Sequence, residues 1–351
     1  MHTITRTVLA LLARATLFSA MLIGSAAVAQ AAAPLPLTLI NGWTNAPFST
    51  HPASVKITSN IVYFQGAIAT TGTNAEPFVL PAGYRPLVNV FIPIDLCNAT
   101  KGRLYITPSG DVIVQAEGGT FSNAQCFTSL DGASFPLVAT GFKPVTLLNG
   151  WTGAPFGTGA PTVKKVGSVI QFKGAVASGT SAELFALPAA DRPPTYVYVP
   201  IDLCNAANGR LIIAPTGEVD VEAQNAFSDA QCFSSLDGAS FALNATGFTA
   251  LPLLNGWTNA PFSTRDAAAK KIGGFVHFEG AIATGGTNSV PFVLPKALSP
   301  KKDVYVPVDL CDATNGRLHI TPNGTVDVEV EGGMFSNAQC FTSLEGALFL
   351  P

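Results

Sequence analysis

The sequence predicts an all-β protein of three tandem antiparallel β-sandwich or barrel domains, each about 100 residues long and stapled by one disulfide. Three observations carry that expectation. One segment recurs three times, the cysteines fall in one matched pair per recurrence, and short β-branched and aromatic runs alternate with Gly and Pro.

The recurrence is plainest around tryptophan. Residues 41–48 read NGWTNAPF, and return as NGWTGAPF over 149–156 and NGWTNAPF over 255–262. Trp43, Trp151 and Trp257 are therefore spaced by 108 and 106 residues, too long for solenoid repeats and long enough for each copy to have its own core. The boundaries drawn from this are residues 37–136, 145–243 and 251–351. The joints are short and alike: Ala139-Thr140-Gly141-Phe142 leads into copy two and Ala245-Thr246-Gly247-Phe248 into copy three. A joint used twice repeats one domain geometry, so the copies form either a rod or a closed pseudo-threefold ring.

Within a copy the strand signals are residues 61–64, 88–94, 103–107 and 111–114. Pro108-Ser109-Gly110 supplies a hairpin turn, as do Pro215-Thr216-Gly217 and Pro322-Asn323-Gly324. No stretch has the period of a long amphipathic helix. The cysteine pairs, Cys97 with Cys126, Cys204 with Cys232 and Cys311 with Cys340, are separated by 29, 28 and 29 residues. With no His or further Cys recurring beside them, they read as one disulfide per copy and not as metal ligands.

Residues 1–29 read as a secretory signal peptide: a basic start, an apolar stretch broken by Arg14, and Ala27-Val28-Ala29 as the cleavage pattern. The mature chain is then expected to be secreted and extracellular, in the periplasm or at the cell surface, with no membrane span. Its removal takes away Arg6 and Arg14 and no acid, leaving 17 basic residues against 22 acidic, a net −5. That balance excludes nucleic acid as an expected partner, since phosphate binding needs clustered Lys and Arg. Charged residues are only 12% of the chain while 48% is hydrophobic, a composition that folds with a surface of Thr, Ser, Asn and Gly.

A catalytic group needed by every copy has to appear in every copy. Few ionisable residues do: Asp95, Asp202 and Asp309; Arg103, Arg210 and Arg317; and the acids Asp131, Asp237 and Glu345. The first two sets read as structural pairs or turn caps, and the third as an acid-Gly turn. Two carboxylates per copy also meet the minimum for glycoside hydrolysis. No histidine recurs, which leaves Ser-His-Asp and Cys-His machinery without a base. No metal or cofactor is expected, because Asp95 and Asn98 alone offer too few oxygens for Ca²⁺. The sequons at Asn98, Asn244 and Asn323 fall at different repeat positions. Trp43, Trp151 and Trp257 are candidate sugar-stacking platforms, against a reading as core residues followed by Pro and Phe. Residues 51–60 and 159–167 differ between copies, as exposed recognition loops do.

Taken in order, Asn-Gly-Trp-Thr, the run 62–66 (VYFQG), 80–86 (LPAGYRP), 102–110 (GRLYITPSG) and 129–132 (SLDG) with Phe135 resemble the β domain that ends many phage tail-fibre and baseplate receptor-binding proteins. The resemblance spans nearly all of each copy. It implies trimer-like assembly and recognition of cell-surface polymers, with three fused copies standing for a trimer. The signal segment, the cysteine pair and the missing fibre shaft favour a bacterial exported protein that reuses the domain. The function expected first is a secreted multivalent binding protein, adhesin-like or lectin-like, recognising a cell-surface glycan or other surface polymer, and not an enzyme. The alternative is a structural protein of a sheath, filament or matrix acting by self-association, and a glycan-cleaving enzyme comes third.

Overall fold

Period-two alternation builds the central hairpin of copy one. Along Lys101–Ile106 and Asp111–Ala116 the side chains of Leu104, Ile106, Val112 and Val114 are buried, while Tyr105 and Ile113 between them are partly exposed. Leu104 lies opposite Val114, and the turn closes with the Gly110 amide donating to the Thr107 carbonyl at 2.9 Å. A computed structural model describes residues 33–351, and the signal segment expected over residues 1–29 lies outside them.

The described residues are all-β, with nine small antiparallel sheets and three helices of five or six residues. Each copy contributes three sheets. In copy one, Phe78–Val79 and Val90–Asp95 flank the central hairpin. Ser54–Thr58 and Ile61–Gln65 form a second hairpin with Leu35–Pro36 and Ser134–Pro136, and Ala67–Thr70 pairs with Trp43–Asn45 and Thr128–Ser129. Copies two and three repeat this plan. The three large apolar clusters each draw on a single copy, over residues 37–135, 151–243 and 251–349.

The three cysteine pairs are bonded as expected, with Cα separations of 5.7, 5.6 and 5.7 Å. Each ties the turn after the Val90–Asp95 strand, or its counterpart, to the end of the short helix.

Val90–Asp95 does not alternate: all six residues are buried. Val90, Ile92 and Ile94 enter the core of their own copy, and Phe91 packs on Phe233 and Ala175 of copy two. The counterpart strands Val197–Asp202 and Val304–Asp309 meet Val90–Asp95 and each other, so three strands line a common axis. The ring closes through one repeated bond. Ser129 Oγ donates to the Tyr305 carbonyl, Ser235 Oγ to that of Phe91, and Ser343 Oγ to that of Tyr198, each at 2.6 Å. Copy one thus bonds copy three, two bonds one, and three bonds two. Of the two arrangements compatible with the sequence, residues 33–351 adopt the closed pseudo-threefold one, as one compact unit.

The acid-Gly turn serves the same closure. Gly132 has φ +84°, and a Cβ there would stand 2.9 Å from Val306 of copy three; Gly238 and Gly346 meet Ile92 and Val199 at 3.0 Å in the same way. The acid before each glycine is buried and accepts a backbone amide: Asp131 from Gly66 at 3.1 Å, Asp237 from Gly174 at 3.1 Å and Glu345 from Gly280 at 3.0 Å.

Candidate functional site: aromatic clefts between copies

The tryptophans are core residues. Trp43, Trp151 and Trp257 are each 5% exposed, and their indole N–H groups donate to the carbonyls of Asn74, Ser181 and Asn288 at 2.8–2.9 Å. Phe121, Phe227 and Phe335 meet them edge-on. Of the two readings the sequence offered for these rings, burial favours the core one: they present no face on which a ligand could stack.

The phenylalanine five residues on takes the exposed position instead. Phe48, Phe156 and Phe262 are 60%, 63% and 58% exposed. Their backbones sit in the left-handed region, with φ of 51°, 53° and 54°. A bulky aromatic residue there costs about 1–3 kcal/mol and persists only where its surroundings impose it. The same strain at one position of every copy marks a place where an outward ring is held at a cost. Sequence showed the recurrence of Pro-Phe, but not the dihedral that turns the ring outward.

Each of these rings rests edge-on against a buried phenylalanine of its own copy: Phe127, Phe233 or Phe341, at centroid distances of 5.6–5.7 Å. The opposite wall comes from the neighbouring copy. Tyr305 meets Phe127, Phe91 meets Phe233, and Tyr198 meets Phe341, each at 4.9 Å. An arginine of that neighbour lies over its ring: Arg317 over Tyr305 at 4.8 Å, Arg103 over Phe91 at 4.9 Å and Arg210 over Tyr198 at 5.0 Å. The disulfide-held turns form the floor, where Asn98, Asn205 and Asp312 also have positive φ.

Two of these junctions open into clefts. The larger, ≈ 360 Å³, lies between copies one and two and is lined by Phe91, Arg103, Tyr105, Gln115, Phe156 and Asn205 among others. The smaller, ≈ 120 Å³, lies between copies three and one, with Phe48, Phe127, Tyr305 and Arg317. The clefts differ at their rims. Gln115 stands where the other two junctions have Glu222 and Glu329, and Tyr105, stacked on Phe91, stands where they have Ile212 and His319.

The recurring charges do pair, but across copies and not within one. Arg103 Nη1 donates to Asp202 Oδ2 at 3.0 Å, Arg210 Nη1 to Asp309 Oδ2 at 3.0 Å, and Arg317 Nη1 to Asp95 Oδ2 at 2.9 Å. Each arginine thus reaches the aspartate of the next copy round the ring, and also that copy's Leu203, Leu310 or Leu96 carbonyl. The aspartates are fully buried. Burial pushes the carboxyls of Asp95 and Asp309 up to about 7 despite their arginines. Asp131, Asp237 and Glu345 are buried as well, so neither repeated carboxylate set opens onto the clefts. No group of three His, Cys, Asp or Glu side chains among the described residues is placed to hold a metal ion, and no described helix is long and apolar enough to cross a membrane.

What remains is a slot with one solvent-facing ring, a second aromatic wall, and an arginine that already donates to a buried carboxylate. Such a slot offers an apolar stacking face and a few hydrogen bonds to a ligand. Comparisons with protein-family models, with curated proteins and with solved structures find no match to this chain.

Proposed function

We propose that this chain is an exported, multivalent binding protein whose junctional clefts take neutral sugar units of a cell-surface glycan. The observation that carries the reading is the outward phenylalanine held at positive φ in every copy, with Phe48 and Phe156 each over a cleft that two copies build together and Phe262 at the equivalent junction. The aromatic walls supply stacking on the CH face of a pyranose, and each arginine is already engaged by a buried carboxylate. Export is supported by the signal-like segment and by three disulfides, which persist in oxidising compartments. Ring closure gives linked sites, and linked weak sites raise avidity by about 10² to 10⁴ where a polymer engages them together.

The test is binding of oxidised protein to a broad glycan array and to whole bacterial cells. Phe156→Ala is expected to weaken binding about tenfold, equivalent to ~1.4 kcal/mol. Substituting Phe48, Phe156 and Phe262 together should abolish it. Because these rings are exposed, the melting temperature should move by no more than about 2 °C. Undiminished binding by the triple variant would remove the clefts from the function. Ordered fibres from pure protein, with no glycan bound, would favour the structural alternative.

A further inference from the structure

Behind the clefts, on the axial side, there is a buried position at which the three copies differ, and the difference is independent of the glycan reading. Lys101 of copy one is matched by Asn208 and Asn315, each facing the recurring aspartate of its own copy across the strand pair. All three side chains are fully buried. Lys101 Nζ reaches round the ring to Asp202 Oδ1 at 2.9 Å and also donates to the Gly102 carbonyl at 3.0 Å. Asp202 is therefore satisfied on both oxygens, by Lys101 on one and Arg103 on the other.

The other two junctions lack this cation. Asn208 Nδ2 donates to the Ala313 carbonyl at 2.6 Å, and Asn315 Nδ2 to that of Ala99 at 2.7 Å. Asp309 Oδ1 and Asp95 Oδ1, the counterparts of the oxygen that Lys101 serves, have no partner among the described residues; nor have Asn208 Oδ1 and Asn315 Oδ1. Four orphaned acceptors at full burial each cost about 1–3 kcal/mol, and more where the group is charged. At the cleft side Arg103 meets Asp202 and neutral Gln115, whereas Arg210 meets Asp309 and Glu222, and Arg317 meets Asp95 and Glu329; Lys101 adds its charge at the first junction, where Glu117 and Glu331 also lie close to it.

We propose that a monovalent metal cation takes the place of the Lys101 ammonium at each of these two junctions, held by Asp309 Oδ1 with Asn208 Oδ1 and by Asp95 Oδ1 with Asn315 Oδ1. The carbonyls of Gly209 and Gly316 are the counterparts of the Gly102 carbonyl that Lys101 also meets. A single carboxylate with amide and backbone oxygens matches one positive charge. It offers too few anionic ligands for Ca²⁺ and none of the nitrogen or sulfur that Zn²⁺ prefers. Lys101 is in effect a covalent form of the same cation, placed once in three by the fused chain.

The experiment is thermal unfolding of the full chain at pH 8 in potassium, sodium or tetramethylammonium chloride at one ionic strength, with equilibrium dialysis against Rb⁺ as a direct count. The native chain should melt about 2–4 °C higher in the better-fitting alkali salt than in tetramethylammonium, and retain two Rb⁺. Lys101→Asn should create a third site and enlarge the salt difference. Asn208→Lys with Asn315→Lys should abolish both the salt difference and Rb⁺ retention. Equal melting in all three salts with no retained Rb⁺ would overturn the proposal and leave protonated carboxyls as the buried form. So would a double-lysine variant that folds and keeps the salt preference; if that variant fails to fold, the Lys101→Asn count decides.

Discussion

Replacing Arg210 by alanine should lower the unfolding free energy by about 3–5 kcal/mol, the range for stripping one partner from a buried ion pair. Arg210 is itself buried, and its Nη1 is the donor to Asp309 Oδ2 and to the Leu310 carbonyl. Its Nε and Nη2 hold Glu222 Oε2 at 3.0 and 2.7 Å, and its guanidinium lies over Tyr198. With alanine, Asp309 loses its one cationic side-chain partner among the described residues while remaining buried. The ring contains its own control. At Arg103→Ala, Asp202 keeps Lys101 Nζ at 2.9 Å, so the loss should be roughly half as large. Urea unfolding of the two variants side by side checks this. Equal losses would mean that Lys101 does not compensate, and a loss below 1 kcal/mol for Arg210→Ala would mean that the ring is not held by its charges.

Unfolding free energy should also fall as pH rises from about 5 to about 8. Burial pushes Asp131 up to about 8, opposed only by the amide of Gly66. The counterpart Asp237 reaches about 6, because Lys173 stands near it where copy one has Gln65; Glu345 reaches about 7, drawn back by Arg265. All three folded values lie above those of the unfolded chain, so the folded state binds more protons in between. The stabilisation is complete below about pH 4 and is lost as pH climbs through the folded values. For Asp131 alone the loss is on the order of 5 kcal/mol, at ~1.4 kcal/mol per unit. Asp131→Asn carries no proton to lose. It should flatten the upper part of the profile and leave the variant more stable than the native chain at pH 8. Urea midpoints at pH 5, 6.5 and 8 provide the comparison. A flat native profile, or a variant with the same slope, would show that this carboxyl stays ionised in the folded chain.

Much of a single copy was legible in advance. The hairpin turning at Pro108-Ser109-Gly110, the three cysteine pairs and the acid-Gly turns are local matters of side-chain period, chain separation and backbone freedom. Val90–Asp95 was legible as a strand, but its continuous burial has two causes, and sequence shows only one: a core of its own, and an axis shared with Val197–Asp202 and Val304–Asp309. The aromatic residues read least well. Trp43 and Phe48 lie five residues apart in one motif, and the larger ring went inside because its indole finds the Asn74 carbonyl there. Phe48 faces out because of a dihedral that no composition reveals.

The sequence by itself determined the all-β class, the threefold recurrence and the residues that carry repeated charge, since these depend on neighbours a few positions apart or on matching one copy with the next. Only the tertiary structure decided that the copies close into a ring, and that Arg103 meets Asp202 and not Asp95. Asp95 lies eight residues from Arg103 along the chain and Asp202 ninety-nine. The reach that matters is through space across a junction, and the orientation of one copy on the next, which sets it, is a sum of many weak contacts that no single motif encodes.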